Sequence, residues 1–252
     1  MKILAIDTSG QQACAAIIDD YIIIGEIALN ARIGEKSWTH SEILLPGIDK
    51  LFELTGIKKH DIMSIAYTCG PGSFTGLRIG ASTALGLAAG LNKPTIPVPT
   101  LDSLAYNMLG AGSNGLIVPM MDARRGQVYS AVYKQGIDGT IARVTEYIAL
   151  PVEEMLEIVN SYSAEQLPSV VQNGVYFLGD GACACKETIK RIMPQAIFAP
   201  QNNNRQRASS AAVWAMEQIK TGYTPTDNVE ILYIRAPQAV QDLELKTGKR
   251  ND

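Results

Sequence analysis

Three stretches of this sequence bring together residue types from which anion and acid–base sites are built. The longest is Thr68-Cys69-Gly70-Pro71-Gly72-Ser73-Phe74-Thr75-Gly76-Leu77-Arg78-Ile79-Gly80. Gly70 and Gly72 open backbone angles closed to other residues, and Pro71 sets one angle between them. Ser73 or Thr75 can cap a following helix by accepting from its unpaired N–H groups. Such a turn can hold an anion at a helix start, or it can be a plain strand-to-helix turn. The second stretch is Asp7-Thr8-Ser9-Gly10, at the end of the first apolar run. Asp7, Thr8 and Ser9 could meet a phosphate, or Asp7 could cap its own turn. The third, Gly179-Asp180-Gly181, precedes a helical segment and could be a second phosphate loop. It lacks the Gly-x-x-x-x-Gly-Lys-Thr pattern and reads equally as a β–α turn.

The remaining reactive residues do not assemble in the sequence. His40 and His60 are the only histidines and fall on separate segments. There is no His-Glu-x-x-His pattern and no Ser-His-Asp spacing; Ser9 and Ser73 have no identifiable base. The expectation is no catalytic residue and no metal ligand set. Cys14, Cys69, Cys183 and Cys185 have no Cys-x-x-Cys spacing and read as free buried thiols. Asp122-Ala123-Arg124-Arg125 invites an ion pair, or capture of an anion by a forked guanidinium.

These residues hang on a regular succession of elements. Strands are expected at residues 2–6, 13–18 and 22–29, joined by short links, then a loop at 34–38. A helix follows to about Leu54, capped by Thr39 or Ser41, with Ile43, Leu44, Ile48, Leu51 and Phe52 on one face. Pro46 kinks it unless it falls in the first turn, and Gly56 ends it. A strand at 64–68 leads into the glycine turn and a helix to Leu91; a strand at 95–98 and a helix at 101–109 close the first half. Residues 110–115, Gly-Ala-Gly-Ser-Asn-Gly, form a boundary. The second half repeats the outline, with strands at 116–121, 127–133 and 141–148. A helix from Pro151 to about Val159, a strand at 175–178 and helices at 183–192 and 208–220 follow. The division expected is 1–110, 111–226 and an irregular tail at 227–252. The fold class is α/β, with two βββαβα halves.

The chain has 252 residues, 46% hydrophobic and 19% charged, with a net charge of -3. A protein that grips nucleic acid alone usually carries a basic surface. The densest basic residues here, Lys246, Lys249 and Arg250, lie in the expected tail. Met1-Lys2 opens directly on a strand pattern, and the longest apolar segment, 79–91, is too short to span a bilayer. No membrane association and a cytoplasmic location are expected.

The string at 70–80, Gly-Pro-Gly-Ser-Phe-Thr-Gly-Leu-Arg-Ile-Gly, resembles the TsaB family, as do the start at 1–9 and Met-Asp-Ala-Arg-Arg-Gly-Gln-Val-Tyr at 121–129. The resemblance is dense to about Tyr133 and patchy beyond. It implies a duplicated ribonuclease-H-like fold, that of the actin-like ATPases. In the kinases of that superfamily an aspartate turn at Asp7 reads Asp-x-Gly-Thr; here the glycine is displaced to Gly10. The related TsaD family binds metal through two histidines on a helix, where this chain has Thr100 and Leu104. The family usually has Gly-Glu-Val-Tyr where Gly126-Gln127-Val128-Tyr129 stands.

The resemblance implies a non-catalytic partner of TsaD, supporting transfer of a threonylcarbamoyl group to the adenosine beside the tRNA anticodon. TsaE would join, and tRNA would be contacted mainly through the complex. No cofactor is required by this chain, though ATP or ADP could be touched within the assembly. The family's docking surface maps onto Ile43, Leu44 and Leu51 of one helix and Gly76, Gly80 and Ala84 of the next. A stable contact there would bury about 1,200–2,000 Å² in total, with TsaD or, in its absence, a second copy. The alternatives are a small-molecule kinase or ATPase using Asp7 and Gly179-Asp180-Gly181, and a metallopeptidase.

Overall fold

The structure, a computed structural model, describes residues 1–30, 32–33, 36–110, 115–136, 138–162, 174–226, 228 and 230–235. The first sheet is built on β1 (Lys2–Asp7), whose Ile3, Leu4, Ala5 and Ile6 are all fully buried. Such a run, apolar on both faces, belongs in the middle of a covered sheet. β2 (Gln12–Asp19) returns antiparallel beside it, and β3 (Ile22–Asn30) pairs with β2 at the edge. Where a loop is expected, β4 (Arg32–Ile33) and β5 (Lys36–Ser37) form a small separate ladder.

Helix α1 (His40–Thr55) starts at a capping box between Thr39 and Glu42 and stops at Gly56, with φ 67°. Pro46 therefore lies inside the helix, and the N–H it lacks would have bonded the Glu42 carbonyl. β6 (Ile62–Gly70) enters parallel to β1, α2 (Phe74–Leu91) follows the glycine turn, and β7 (Thr95–Pro99) completes the order β3-β2-β1-β6-β7. α3 (Thr100–Ala105) is shorter than expected and passes into a 3-10 turn, Tyr106–Met108.

The second sheet repeats that order. β8 (Leu116–Arg124) takes the central place, flanked by β10 (Tyr133–Gln135) and β13 (Val175–Leu178), with β11 (Ile141–Arg143) and β14 (Ile197–Phe198) at the edges. β9 (Gln127–Ser130) pairs with the far end of β8 and with β12 (Ile148–Pro151). The strands expected at 127–133 and 141–148 are thus each broken in two. The break falls opposite Pro119, which has no N–H to give the ladder; Ser130 Oγ instead donates to its carbonyl at 2.8 Å. α4 (Val152–Ser161) crosses back. The helix expected at 183–192 is two short ones, α5 (Asp180–Ala184) and α6 (Lys186–Ile192). α7 (Ala208–Lys220) has the predicted bounds.

Two copies of one βββαβα topology, in the same strand order, make this the duplicated ribonuclease-H-like fold. The helices exchange sides at the seam. α1 and α2 cover one face of the first sheet through Leu44, Ile48, Leu51, Ala81 and Ala84. Its other face is covered by α7, whose Ala208, Ala211, Ala212 and Ala215 pack on Ile3, Ala5 and Cys14. α3 in turn packs Leu101, Leu104 and Met108 on Ile117, Met121 and Leu178 of the second sheet. A cut at 110–115 separates the sheets but not their covers. Positions 111–114 of that linker and 236–252 of the tail, with Lys246, Lys249 and Arg250, lie outside the described residues. Residues 230–235 cross the end of β6, where Leu232 N donates to the Cys69 carbonyl at 2.7 Å. No described helix is long and apolar enough to cross a membrane.

Candidate functional site

The glycine turn serves β1 first. Thr8 Oγ1 donates to the Gly76 carbonyl at 2.7 Å, and Ser73 N donates to the Ser9 carbonyl at 2.8 Å. A Cβ on Gly76 would overlap the Thr8 carbonyl, one on Gly80 the Thr8 hydroxyl, and one on Gly72 would lie 2.6 Å from the Ser9 carbonyl. These glycines let α2 lie against the end of β1. Ser73 caps α2 by accepting from Gly76 N at 3.3 Å.

Asp7 is buried at this junction and caps its own turn. Its Oδ1 accepts from Ser9 N at 2.9 Å, Ser9 Oγ at 2.6 Å and Thr68 Oγ1 at 3.1 Å. Its Oδ2 is buried without a hydrogen-bond partner, as is His40 Nε2. Burial pushes the Asp7 carboxyl above its usual value, against the Ser9 and Thr68 hydrogen bonds and the nearby His40.

Across the gap between the halves stands Gly179-Asp180-Gly181. Gly179, at φ 100°, donates its N–H to Asn204 Oδ1. Asp180 Oδ1 accepts from Gly181 N at 2.9 Å and from Asp122 N at 3.1 Å, and burial raises its carboxyl. Asn204 belongs to a strap, residues 203–207, that ties the halves together. Asn107 Nδ2 donates to the carbonyls of Asn203 and Arg205 at 2.9 and 2.7 Å, and Asn203 Nδ2 answers to the Asn107 carbonyl at 3.0 Å. The Gln206 carboxamide lies on Gly10, where a Cβ would come within 2.6 Å of its Oε1. The cleft left open is about 210 Å³, lined by Gln11, Gln12, Asn30, Asp180, Asn204 and Gln206 among others. That is below the roughly 300–1,000 Å³ common for small-molecule pockets.

Of the two acidic turns singled out in the sequence, the second lines this cleft through Asp180, whereas Asp7, Thr8 and Ser9 of the first are buried and are not among its lining residues. The N–H groups of Ser9, Gly179 and Gly181, which a phosphate would need, already donate to Asp7, Asn204 and Asp180. Asn107, Asn204 and Gln206 enter the site outside the sequence expectations; the polar run at 201–206 is the visible trace of the last two.

The residues mapped as a docking surface fare differently. Leu44, Leu51, Gly76, Gly80 and Ala84 are buried in this chain's own core, and Ile43 is partly buried against it. Their small or apolar character serves packing on the sheet. The same two helices turn Leu45, Leu54, Phe74, Arg78, Gly86 and Ala89 outward. Asp122 binds the backbone N–H of Arg124 at 2.7 Å, shaping the β8–β9 turn. Among the described residues no three His, Cys, Asp or Glu side chains converge as a metal site would require.

The family described as TsaD, tRNA N6-adenosine threonylcarbamoyltransferase, matches residues 34–239. The tRNA threonylcarbamoyladenosine biosynthesis protein TsaB of Bacillus subtilis is 32% identical over 208 residues, covering 81% of this chain and 83% of that protein. TsaB of Escherichia coli is 35% identical over 139 residues, 55% of this chain and 58% of its own length. Among solved structures, YeaZ from Pseudomonas aeruginosa superposes with a TM-score of 0.71 at 21% identity, over 92% of this chain and 99% of that one.

Proposed function

The chain belongs to the TsaB (YeaZ) family of the actin-like ATPase superfamily, and from that premise we propose that it is a non-catalytic subunit in threonylcarbamoyladenosine formation on tRNA. One observation carries the non-catalytic part. In the two turns that could cradle a nucleotide's phosphates, the N–H groups of Ser9, Gly179 and Gly181 are spent on the chain's own oxygens, two of them from carboxylates. A phosphate entering would meet the carboxylates of Asp7 and Asp180 and no vacant donor at these positions.

The chain then acts by its surface. The outward face of α1 and α2, with Leu45 and Leu54 at 47% and 74% exposure, is the docking face for TsaD. A second copy would use the same face when TsaD is absent. TsaE completes the assembly in the cytoplasm, and any ATP or ADP belongs to the complex. Light scattering should show a stable assembly with TsaD, lost on Leu45→Asp. Modification of tRNA by TsaD should rise on adding the chain, and magnesium-ATP should neither bind nor turn over on the chain alone. Turnover by the isolated protein would favour a kinase, and a metal-dependent peptidase activity a metallopeptidase.

A further inference from the structure

Among the described residues, β3 is the one long edge strand with no strand outside it. The opposite edge of the same sheet is met: Thr95 of β7 and Thr226 exchange N–H···O bonds at 2.9 and 3.0 Å. In the second sheet the outer strands β11 and β14 have three and two residues, and β12 has four and ends on Pro151. Short, covered or proline-bearing edges are how sheets avoid pairing with other chains. β3 runs for nine residues, and from Tyr21 to Asn30 there is no proline, lysine or arginine. Ile22, Ile23, Ile24 and Leu29 are 69%, 47%, 38% and 37% exposed. An extra residue at Ile24 against β2 breaks the alternation, so three isoleucines in succession stay uncovered. The only charge in the stretch, Glu26, is turned into its own chain, on Ser209 and Arg207.

We propose that β3 pairs edge to edge with β3 of a second copy, antiparallel across a two-fold axis, joining the two first-half sheets into one. An antiparallel edge is self-complementary under a two-fold, so one patch serves both copies. With the axis at Glu26, the midpoint of the strand, residues 22–24 of each copy lie opposite 28–30 of the other. Ile23 then meets Leu29 twice, and the outward backbone groups of both strands find partners. Glu26 faces its own copy across the axis, but each carboxylate is already paired with Arg207. The exposed parts of Tyr21, Ile22, Ile23, Ile24 and Leu29 offer on the order of 500 Å² per copy, against the roughly 800 Å² per partner of a standard interface. The strand backbones and the exposed Ala28 and Asn30 add to it. Such an area suits a dimer that forms reversibly at micromolar concentration. A strand from a different protein would gain the same backbone bonds, but only a second copy brings the isoleucine–leucine match this strand itself contains. The pairing leaves the outward face of α1 and α2 open and does not depend on the role given to that face.

The test is sedimentation velocity on the full chain carrying Leu45→Asp, which silences the helix face, across a series from low to high micromolar concentration. The mass should rise from that of one chain to twice it. Ile22→Lys or Ile24→Lys, each at a position already open to solvent, should hold the mass at one chain, because an edge lysine resists pairing. Amide exchange in peptides covering residues 22–30 should slow as concentration rises in the parent chain and stay unchanged in the lysine variants. Should a lysine variant fail to fold, exchange in the parent chain decides: protection gained within β3 supports the pairing, and its absence overturns it. A parent chain of single mass at every concentration overturns it as well. So does a dimer that survives both lysines, or a mass that grows past two chains, which a closed two-fold forbids. A dimer seen only without Leu45→Asp belongs to the helix face and counts against β3.

Discussion

Gly76 and Gly86 sit on one helix in the same residue type and have opposite reasons to be there. A methyl at Gly76 would overlap the Thr8 carbonyl, whereas one at Gly86 meets nothing within 4 Å. Gly76→Ala should therefore cost about 1–3 kcal/mol by overpacking, outweighing the roughly 1 kcal/mol that alanine adds to a helix interior. Gly86→Ala should gain up to that ~1 kcal/mol. Urea midpoints of the two variants check this, and equal shifts would sink the packing account. Asp7 illustrates the same dependence on surroundings. Its reading as a turn cap was open in the sequence, because an aspartate two residues before a serine N–H is a local motif. The orphaned Oδ2 was not, since its burial comes from tertiary packing rather than from the turn itself.

At the scale of elements, α7 shows how a helix can be legible while its cap is not. Its bounds follow from the alanine-rich apolar pattern, yet its N-cap, Arg207, makes no side-chain cap. The cap comes from Glu26 on β3: Oε1 accepts from Ser209 N at 2.9 Å and Ser209 Oγ at 2.7 Å, while Oε2 pairs with Arg207 at 2.9 Å. Glu26→Ala should cost about 1–2 kcal/mol, the usual worth of a lost cap. Amide exchange should quicken first in the opening turn of α7; uniform quickening across the chain would contradict a local role. The strands at 127–133 and 141–148 were misjudged for a related reason. Their interruption answers Pro119, on a different strand, which no pattern within those segments records.

For the molecule as a whole, the seam between halves is closed by buried polar groups. Asp102 of α3 accepts from Tyr133 and from Tyr147, the latter at 2.9 Å, and burial raises its carboxyl. A carboxyl whose folded pKa exceeds its unfolded one binds its proton more tightly in the folded chain. Its stabilisation is full below the ordinary value of 3.8 and is lost as pH rises through the raised one. Asp102→Asn keeps an accepting oxygen and removes the titration. The stability gap between wild type and variant should shift toward the variant as pH climbs from about 4 to 8. Urea midpoints that keep a constant gap would show that the seam does not titrate. Asp102 ties the halves on one side and the 203–207 strap on the other, and the small cleft lined by Gln11, Asn204 and Gln206 lies beside that strap.

The sequence by itself determined most of the elements, their order and the doubled plan, because periodicity, caps and glycine turns act over a few residues. It also located both acidic turns. Which residues α1 and α2 turn outward and what fills the turns were decided only by tertiary structure. Gln206 reaches Gly10 across 196 positions, and Tyr233 reaches Phe74 across 159. Contacts of that span depend on how the two sheets close on each other, which no local pattern of residue types encodes.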